Sequence, residues 1–112
     1  MSGSVSVVMA VFNGSRFLRQ QVDSVLAQLE GDDELLVVDD ASTDDSVALL
    51  RAIGSQRIKI HCNPVNAGVR LTFQRGLQLA RHDIIFLCDQ DDVWLPGKRN
   101  AFVAAFAAET RS

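Results

Sequence analysis

Short apolar runs alternate with helix-length segments along nearly the whole chain, and this alternation restricts the fold more than any other feature. Strand-length runs lie at 5–11 (VSVVMAV), 34–39 (ELLVVD), 57–61 (RIKIH) and 83–88 (DIIFLC), with helices expected at 15–28, 44–53, 69–81 and 97–109. Repeated strand-helix units predict an α/β class fold, a three-layer Rossmann-like arrangement around a mainly parallel sheet. Ser42 or Thr43 is expected to cap the second helix, and Pro96 to occupy the first turn of the fourth. At 112 residues the chain is expected to be one domain.

The runs differ in their periodicity. The first, second and fourth are almost continuously apolar, which predicts burial on both faces, whereas Arg57, Ile58, Lys59, Ile60 and His61 alternate as a half-exposed edge strand would. Right-handed crossovers then favour strand order 3-2-1-4, with a switch point between strands one and four. Ligands of open α/β sheets bind beyond the carboxyl ends of the strands at such a switch. The polar clusters fall there: Asn13 follows the first strand, Asp39 and Asp40 end the second, and Asp89, Asp91 and Asp92 follow the fourth. Strands two and four flank strand one, so their acids are expected about 10 Å apart, a gap that a nucleotide can bridge.

Charge excludes some partners. The net charge is −3 and the basic residues are scattered, so neither a nucleic-acid footprint nor a patch for anionic membranes is expected. Cys62 and Cys88 lack metal-ligand spacing and are expected to be reduced, buried thiols of a cytoplasmic protein. The opening MSGSVSVVMAVFNG reads as a strand rather than a signal peptide, and no run reaches the roughly 18 apolar residues of a membrane span. His61 and His82 flank strands without ligand spacing and are expected to be structural or solvated.

The stretch FLCDQDDVW (86–94) crowds three carboxylates into four positions. On an extended backbone Asp89 and Asp91 share a face while Gln90 points away. Two carboxylates so spaced suit Mg²⁺ or Mn²⁺, which offsets their repulsion and neutralises a diphosphate that the acids alone would repel. The turn VFNGSRF matches neither G-x-G-x-x-G nor the P-loop, so phosphates bound here would need positive charge from a metal. Other readings of the acids stand beside this one. The cluster could be an acidic turn capping the next helix. A calcium EF-hand fails, because Trp94 and Asn100 stand where Gly and Glu are required. A phospho-accepting receiver domain fits poorly, since VVDD ends the second strand rather than the first. IIFLCDQDDV fits the haloacid-dehalogenase phosphotransferase motif, with Asp89 as nucleophile and Asp91 as acid/base, but only about 20 residues follow Val93 and VVDDASTDD goes unexplained.

Taken together, VSVVMAVFNGSRFLRQQVDSVLAQ, ELLVVDDASTDDS, NPVNAGV and IIFLCDQDDVWLPGK resemble, in order and spacing, the nucleotide-binding part of family 2 glycosyltransferases, the inverting GT-A group. The form DQDDVW is most similar to that of bacterial rhamnosyltransferases. The resemblance implies that Ala10, Phe12 and Asn13 cradle the base, that Asp40, with Asp39 beside it, bonds base or ribose, and that Asn66 and Gly68 border the nucleotide. Asp91 would hold a Mg²⁺ or Mn²⁺ ion on the diphosphate, with Asp89 on ribose or assisting the metal and Gln90 among the nucleotide contacts. Plainer readings stay open: Phe12 as core, Asn13-Gly14 as a turn, residues 66–68 as a helix start, and Trp94 as packing beside the site rather than stacking a base.

The implied reaction is metal-assisted transfer, with inversion, from a UDP- or dTDP-sugar to a saccharide or lipid-linked acceptor, in the cytoplasm or on the cytoplasmic face of the membrane in the full-length protein. The family's general base lies in a half that follows this one, so a domain truncated before the acceptor site is expected, with the base beyond Ser112 and little or no transfer by the chain alone. The free edge of the fourth strand and the apolar stripe of Phe102, Val103 and Phe106 suggest self-association.

Overall fold

The structure is a computed structural model that describes residues 3–89 and 93–111, with side chains for 3–88 and 93–105. The expectations placed on Gln90, Asp91 and Asp92, on the Asp89 side chain and on that of Phe106 lie outside the described residues.

Strands β1 (Val5–Val11), β2 (Glu34–Asp39), β3 (Ile58–Cys62) and β4 (Ile84–Asp89) form one sheet in the order β3-β2-β1-β4. Every pairing is parallel, and the order is the one expected from the apolar pattern. Helices α1 (Ser15–Leu26), α2 (Ser46–Ile53), α3 (Val69–Leu79) and α4 (Lys98–Arg111) follow the strands in turn. The boundaries of β3 and β4 lie one residue later than the apolar runs suggest, and α1 and α3 end two residues sooner.

Alternation along the strands divides the core into two layers. Val5, Val7, Met9 and Val11 of β1, with Leu35, Val37, Phe86 and Cys88, meet Leu18, Val22 and Val25 of α1, Leu50 of α2 and Val103 of α4. On the opposite face Val8, Leu36 and Val38 pack with Phe73 of α3 and with Ile85. Burial of an aliphatic side chain contributes about 1.5–3 kcal/mol, so β1, buried along its whole length, contributes on both faces.

Helix α3 reaches the sheet through its smallest residues, Thr72 and Gly76. A Cβ at Gly76 would fall on the Cγ1 methyl of Val8. Because α3 lies over β1 and β2, Leu87 on β4 is left 53% exposed. β4 therefore alternates like an edge strand, contrary to the doubly buried reading of its apolar run. Cys88 is buried, but Cys62 at the end of the other edge strand is exposed; neither is in a disulfide.

At the amino ends of the strands, Arg99 ties α4 to the sheet. Its Nε and Nη2 donate to the two oxygens of Asp33 at 2.6 and 3.1 Å, and Nη2 donates also to the Gly3 carbonyl at 2.6 Å. Asp33 accepts in addition from the amides of Val5 and Glu30, at 2.8 and 2.9 Å. Burial pushes the Asp33 carboxyl up, and these donors, Arg99 foremost, more than reverse it. The pair is buried yet fully hydrogen-bonded, the condition under which a buried charge is tolerable. Phe86 meets Phe102 at 4.2 Å and Trp94 at 5.1 Å, so α4 covers that flank of the core.

Two helix starts differ from expectation. Ser42 and Thr43 do not cap α2, because the helix begins at Ser46 and Asp45 takes the cap position; their hydroxyls donate to Asp39 and Asn13. Pro96 precedes α4 instead of opening it, because Gly97 between them has φ +83°, outside the helical region. Among the described residues no helix is long and apolar enough to cross a membrane.

The packing of α3 on β1 generates a test. Ala in place of Gly76 gains about 1 kcal/mol of helix propensity, but overpacking costs about 1–3 kcal/mol. With the sheet rigid at Val8 the second effect wins, so Gly76→Ala is expected to lower the urea midpoint, whereas a rise would mean that α3 shifts freely on the sheet.

Candidate functional site

The carboxyl end of β1 is enclosed by its neighbours. Val11 pairs with Asp39 on β2, and Ala10 with Asp89 on β4, so the two acid-bearing strands end on either side of the β1–α1 turn. Ala10 is buried, and Phe12 just beyond it is 46% exposed, which removes the reading of Phe12 as core.

Asn13 has φ +49°, a left-handed conformation that Asn tolerates better than most residues. There its side-chain oxygen accepts from the amide of Thr43 at 2.7 Å and from that of Asp44 at 3.3 Å. In return the 42–46 loop caps the turn. The amides of Asn13, Gly14 and Ser15 donate to Ser42 Oγ, Ser46 Oγ and Asp44 Oδ2, at 2.9, 3.0 and 3.1 Å. The amino end of a helix after the first strand is the usual anion seat of a doubly wound sheet. Here those three amides are already satisfied, one of them by a carboxylate, so a phosphate would find repulsion in place of open donors.

Asp39 and Asp40 point to opposite sides of the sheet, as successive strand residues must. Asp39 accepts from the amide and hydroxyl of Ser42, at 2.9 and 2.6 Å, and shapes its own loop. Asp40, 4% exposed, faces the α3 side. Its Oδ1 accepts from Asn63 Nδ2 at 2.8 Å and from the Ala67 amide at 2.7 Å, and its Oδ2 from the Gly68 amide at 2.9 Å. Burial pushes this carboxyl up, and the donors together hold it below the usual carboxylate range. Asn66 Nδ2 donates to the Asp40 carbonyl at 3.3 Å. Gly68, with φ +94°, precedes α3 in a conformation that few other residues adopt.

The fold thus brings Ala10, Phe12, Asn13, Asp39, Asp40, Asn66 and Gly68 to one end of the sheet, and the backbone of Asp89 to the same end. Among the described residues no three His, Cys, Asp or Glu side chains are grouped to hold a metal ion. Trp94 is buried, packs on Phe86 and lies under Lys98 Nζ at 5.4 Å, in keeping with the packing reading. His82 belongs to the far end of the sheet, its Nε2 2.7 Å from the Asp32 carbonyl. Sequence reasoning missed Asn63, Asp44 and Ser46. Asp44 and Ser46 lie in the VVDDASTDDS stretch, of which only Asp39 and Asp40 read as ligands, and Asn63 had no signal beyond its place after the edge strand.

Asp44 gives the turn a pH signature. Burial pushes its carboxyl up, but the hydroxyl and amide of Ser46 and the amide of Ser15 bring it down to about 2. A depressed carboxylate adds stability that is present above its unfolded value, near 3.9, and lost as pH falls toward 2. Asn mimics the protonated form, and Asp44 is an exposed charge beside the amino ends of α1 and α2, so Asp44→Asn is expected to cost about 0.3–1 kcal/mol at pH 6. That deficit in urea midpoint should shrink through pH 3, and one independent of pH would mean that the carboxylate charge plays no part.

The family model for glycosyl transferase family 2 matches residues 6–112. An uncharacterized glycosyltransferase of Nostoc sp. is 34% identical over 108 residues, covering 91% of this chain and 32% of its own length. The UDP-Glc:alpha-D-GlcNAc-diphosphoundecaprenol beta-1,3-glucosyltransferase WfgD of Escherichia coli is 31% identical over 94 residues, covering 84% of this chain and 37% of its own. The chain therefore spans about a third of the length of these curated relatives. Among solved structures, S. aureus TarS 1-349 in complex with UDP-GlcNAc has a TM-score of 0.82 at 23% identity, over 95% of this chain and 31% of its own. The mannosyltransferase PcManGT from Pyrobaculum calidifontis, in complex with GDP-Man and Mn²⁺, has a TM-score of 0.78 at 23% identity, over 91% of this chain and 31% of its own. These structural likenesses are of fold, and the fold is the GT-A one that the resemblance implied. With the family model running through both acidic stretches and all four strands, the chain belongs to glycosyl transferase family 2.

Proposed function

We propose that the chain is the donor-binding part of a transferase that takes a sugar from a nucleoside diphosphate, UDP or dTDP, and passes it with inversion to a saccharide or lipid-linked acceptor. The observation that carries this reading is the enclosure of the end of β1 by the two acid-bearing strands, with the turn amides already satisfied. A pyrophosphate at that end lacks the donors of a phosphate loop, and the remaining way to neutralise it is a cation. The donor set suits a hard divalent ion, Mg²⁺ or Mn²⁺, held by Asp91 with Asp89. Such an ion, when bound, would neutralise the departing nucleoside diphosphate.

In this reading Ala10 and Phe12 line the base, with Asn13 holding their turn. Asp39 supports the wall between β1 and β2, and Gln90 belongs to the nucleotide contacts. The general base that deprotonates the acceptor is assigned to the two thirds of the relatives' length that the chain does not span. WfgD, named for UDP-Glc and a diphosphoundecaprenol acceptor, and TarS, solved with UDP-GlcNAc, support the donor class and the lipid-linked acceptor. PcManGT, solved with Mn²⁺, supports the cation. Family membership leaves the dehalogenase-type reading of Asp89 without support.

Calorimetric titration with UDP, dTDP and GDP, with and without Mn²⁺, tests the proposal. Binding is expected to require the metal and to weaken in Asp91→Ala by at least the roughly 10–100-fold that loss of an outer-shell partner costs a metal site. Binding that ignores both the metal and the substitution would refute it.

A further inference from the structure

We propose that the cleft at the amino end of the sheet binds the phosphate group of a small organic phosphate through Arg57, Lys59 and Arg81. The cleft opens where β2 and β3 begin, and β2, six residues at about 3.3 Å each, runs between it and the donor end. This site is therefore separate from the one that receives the donor.

The 31–33 turn organises the cleft. Arg57 Nη1 donates to the carbonyls of Gly31 and Asp33, each at 3.0 Å, and Arg81 Nη2 donates to that of Asp32 at 3.2 Å. One turn thus fixes two guanidinium groups on the wall of one cleft. Like charges held close together repel, and an anion between them relieves the repulsion. Arginine side chains lose much rotamer freedom when they bind, and bonds to carbonyls remove part of that freedom before a ligand arrives.

A guanidinium has five N–H donors, and its Nε–Nη2 edge matches an oxyanion with two parallel bonds. In Arg57 the carbonyls engage Nη1, and among the described residues the Nε–Nη2 edge has no acceptor. The acids of the cleft do not quench the charge. Asp33 is taken by Arg99. Glu34, 4% exposed, accepts from Ser6 Oγ at 2.7 Å and from the Arg81 amide at 2.8 Å, with Arg81 Nε 3.9 Å away. Among the described residues neither Arg57 nor Lys59 pairs with a carboxylate, and Lys59 Nζ donates only to the Gln56 carbonyl at 3.2 Å. Of the lining acids that leaves the exposed Asp32 to face both cations. Ser55 Oγ accepts the Arg57 amide at 3.1 Å and keeps its own proton for a ligand.

Two cations against one acid favour a dianion over a carboxylate, and a phosphate ester carries about two negative charges near neutral pH. The positive charge here is on the protein, the reverse of the acidic carboxyl end, so the phosphate binds without a metal. The cleft volume, about 450 Å³, is larger than a bare phosphate and of the size that holds a small organic molecule.

Amide and arginine Nε–H spectra of the full chain, titrated without divalent metal, test this. Glucose 1-phosphate is expected to move the amides of residues 31–34, 55–57 and 81 and the Arg57 Nε–H saturably, to leave residues 10–13 and 39–40 in place, and to bind more tightly than inorganic phosphate. Arg57→Lys keeps the charge but loses the fork, and should weaken binding roughly tenfold. Lys59→Gln should weaken it severalfold; it leaves both arginines on the turn, so it stays decisive if Arg57→Lys loosens the 31–33 segment. The proposal is overturned by the absence of a saturable shift at the cleft, by shifts that NaCl at equal ionic strength reproduces, or by shifts centred on residues 10–13 and 39–40. Inorganic phosphate binding as tightly as the sugar phosphate, or affinity unchanged in Lys59→Gln, overturns it equally.

Discussion

β1 is enclosed on both faces and paired on both edges, and this enclosure constrains everything else in the molecule. A strand so placed must be apolar or have its polar groups bonded internally, as the buried Ser6 hydroxyl is to Glu34, and it can offer a ligand only its end. Chain direction then decides which residues gather there. Because all pairings are parallel, the ends of β2 and β4 arrive on either side of the end of β1, which brings Asp39 and the backbone of Asp89 to one end of the sheet from distant positions in the chain. Helix α3 is tied to the same constraint, since its Gly76 rests on Val8 of β1 and so fixes where the loop before α3 begins.

The polar groups at that end do two different kinds of work. Asn13, Asp39, Asp44 and Ser46 bond one another's loops, and Asp40 bonds the segment entering α3. Most of the hydrogen-bonding capacity of the VVDDASTDDS stretch is therefore internal. That internal bonding rigidifies the rim and removes the helix-end amides that a doubly wound sheet normally offers to phosphate. An acidic, donor-poor rim is a poor anion site by itself and a good one only beside a cation, which is why the charge of the ligand and the second acidic stretch belong together.

The elements, their order and the end of the sheet that carries the site were legible in the sequence, because each rests on periodicity or on chain direction. VSVVMAV and RIKIH differ in their alternation, and that difference alone separates the enclosed strand from the edge. Side-chain partnerships were not legible. Asp33 and Arg99 are 66 positions apart and meet only after the sheet and α4 are in place. Asp40 reads as a ligand-binding acid in the motif, yet its register places it against residues 63–68, which no local pattern reveals. Leu87 reads as buried within an apolar run, and is exposed because one helix cannot cover both β2 and β4. Ser42 reads as a helix cap, yet it donates to Asp39 because that carboxylate is three residues away and already buried.

The central claim is that the carboxyl end of β1 receives the donor and its ion. Paramagnetic broadening of backbone amides by Mn²⁺, added with UDP to the labelled chain, addresses it most directly. Broadening is predicted to centre on residues 10–13, 39–40, 66–68 and 88–89. Broadening centred instead on residues 31–34, 55–57 and 81, which line the cleft at the opposite end of the sheet, would contradict it.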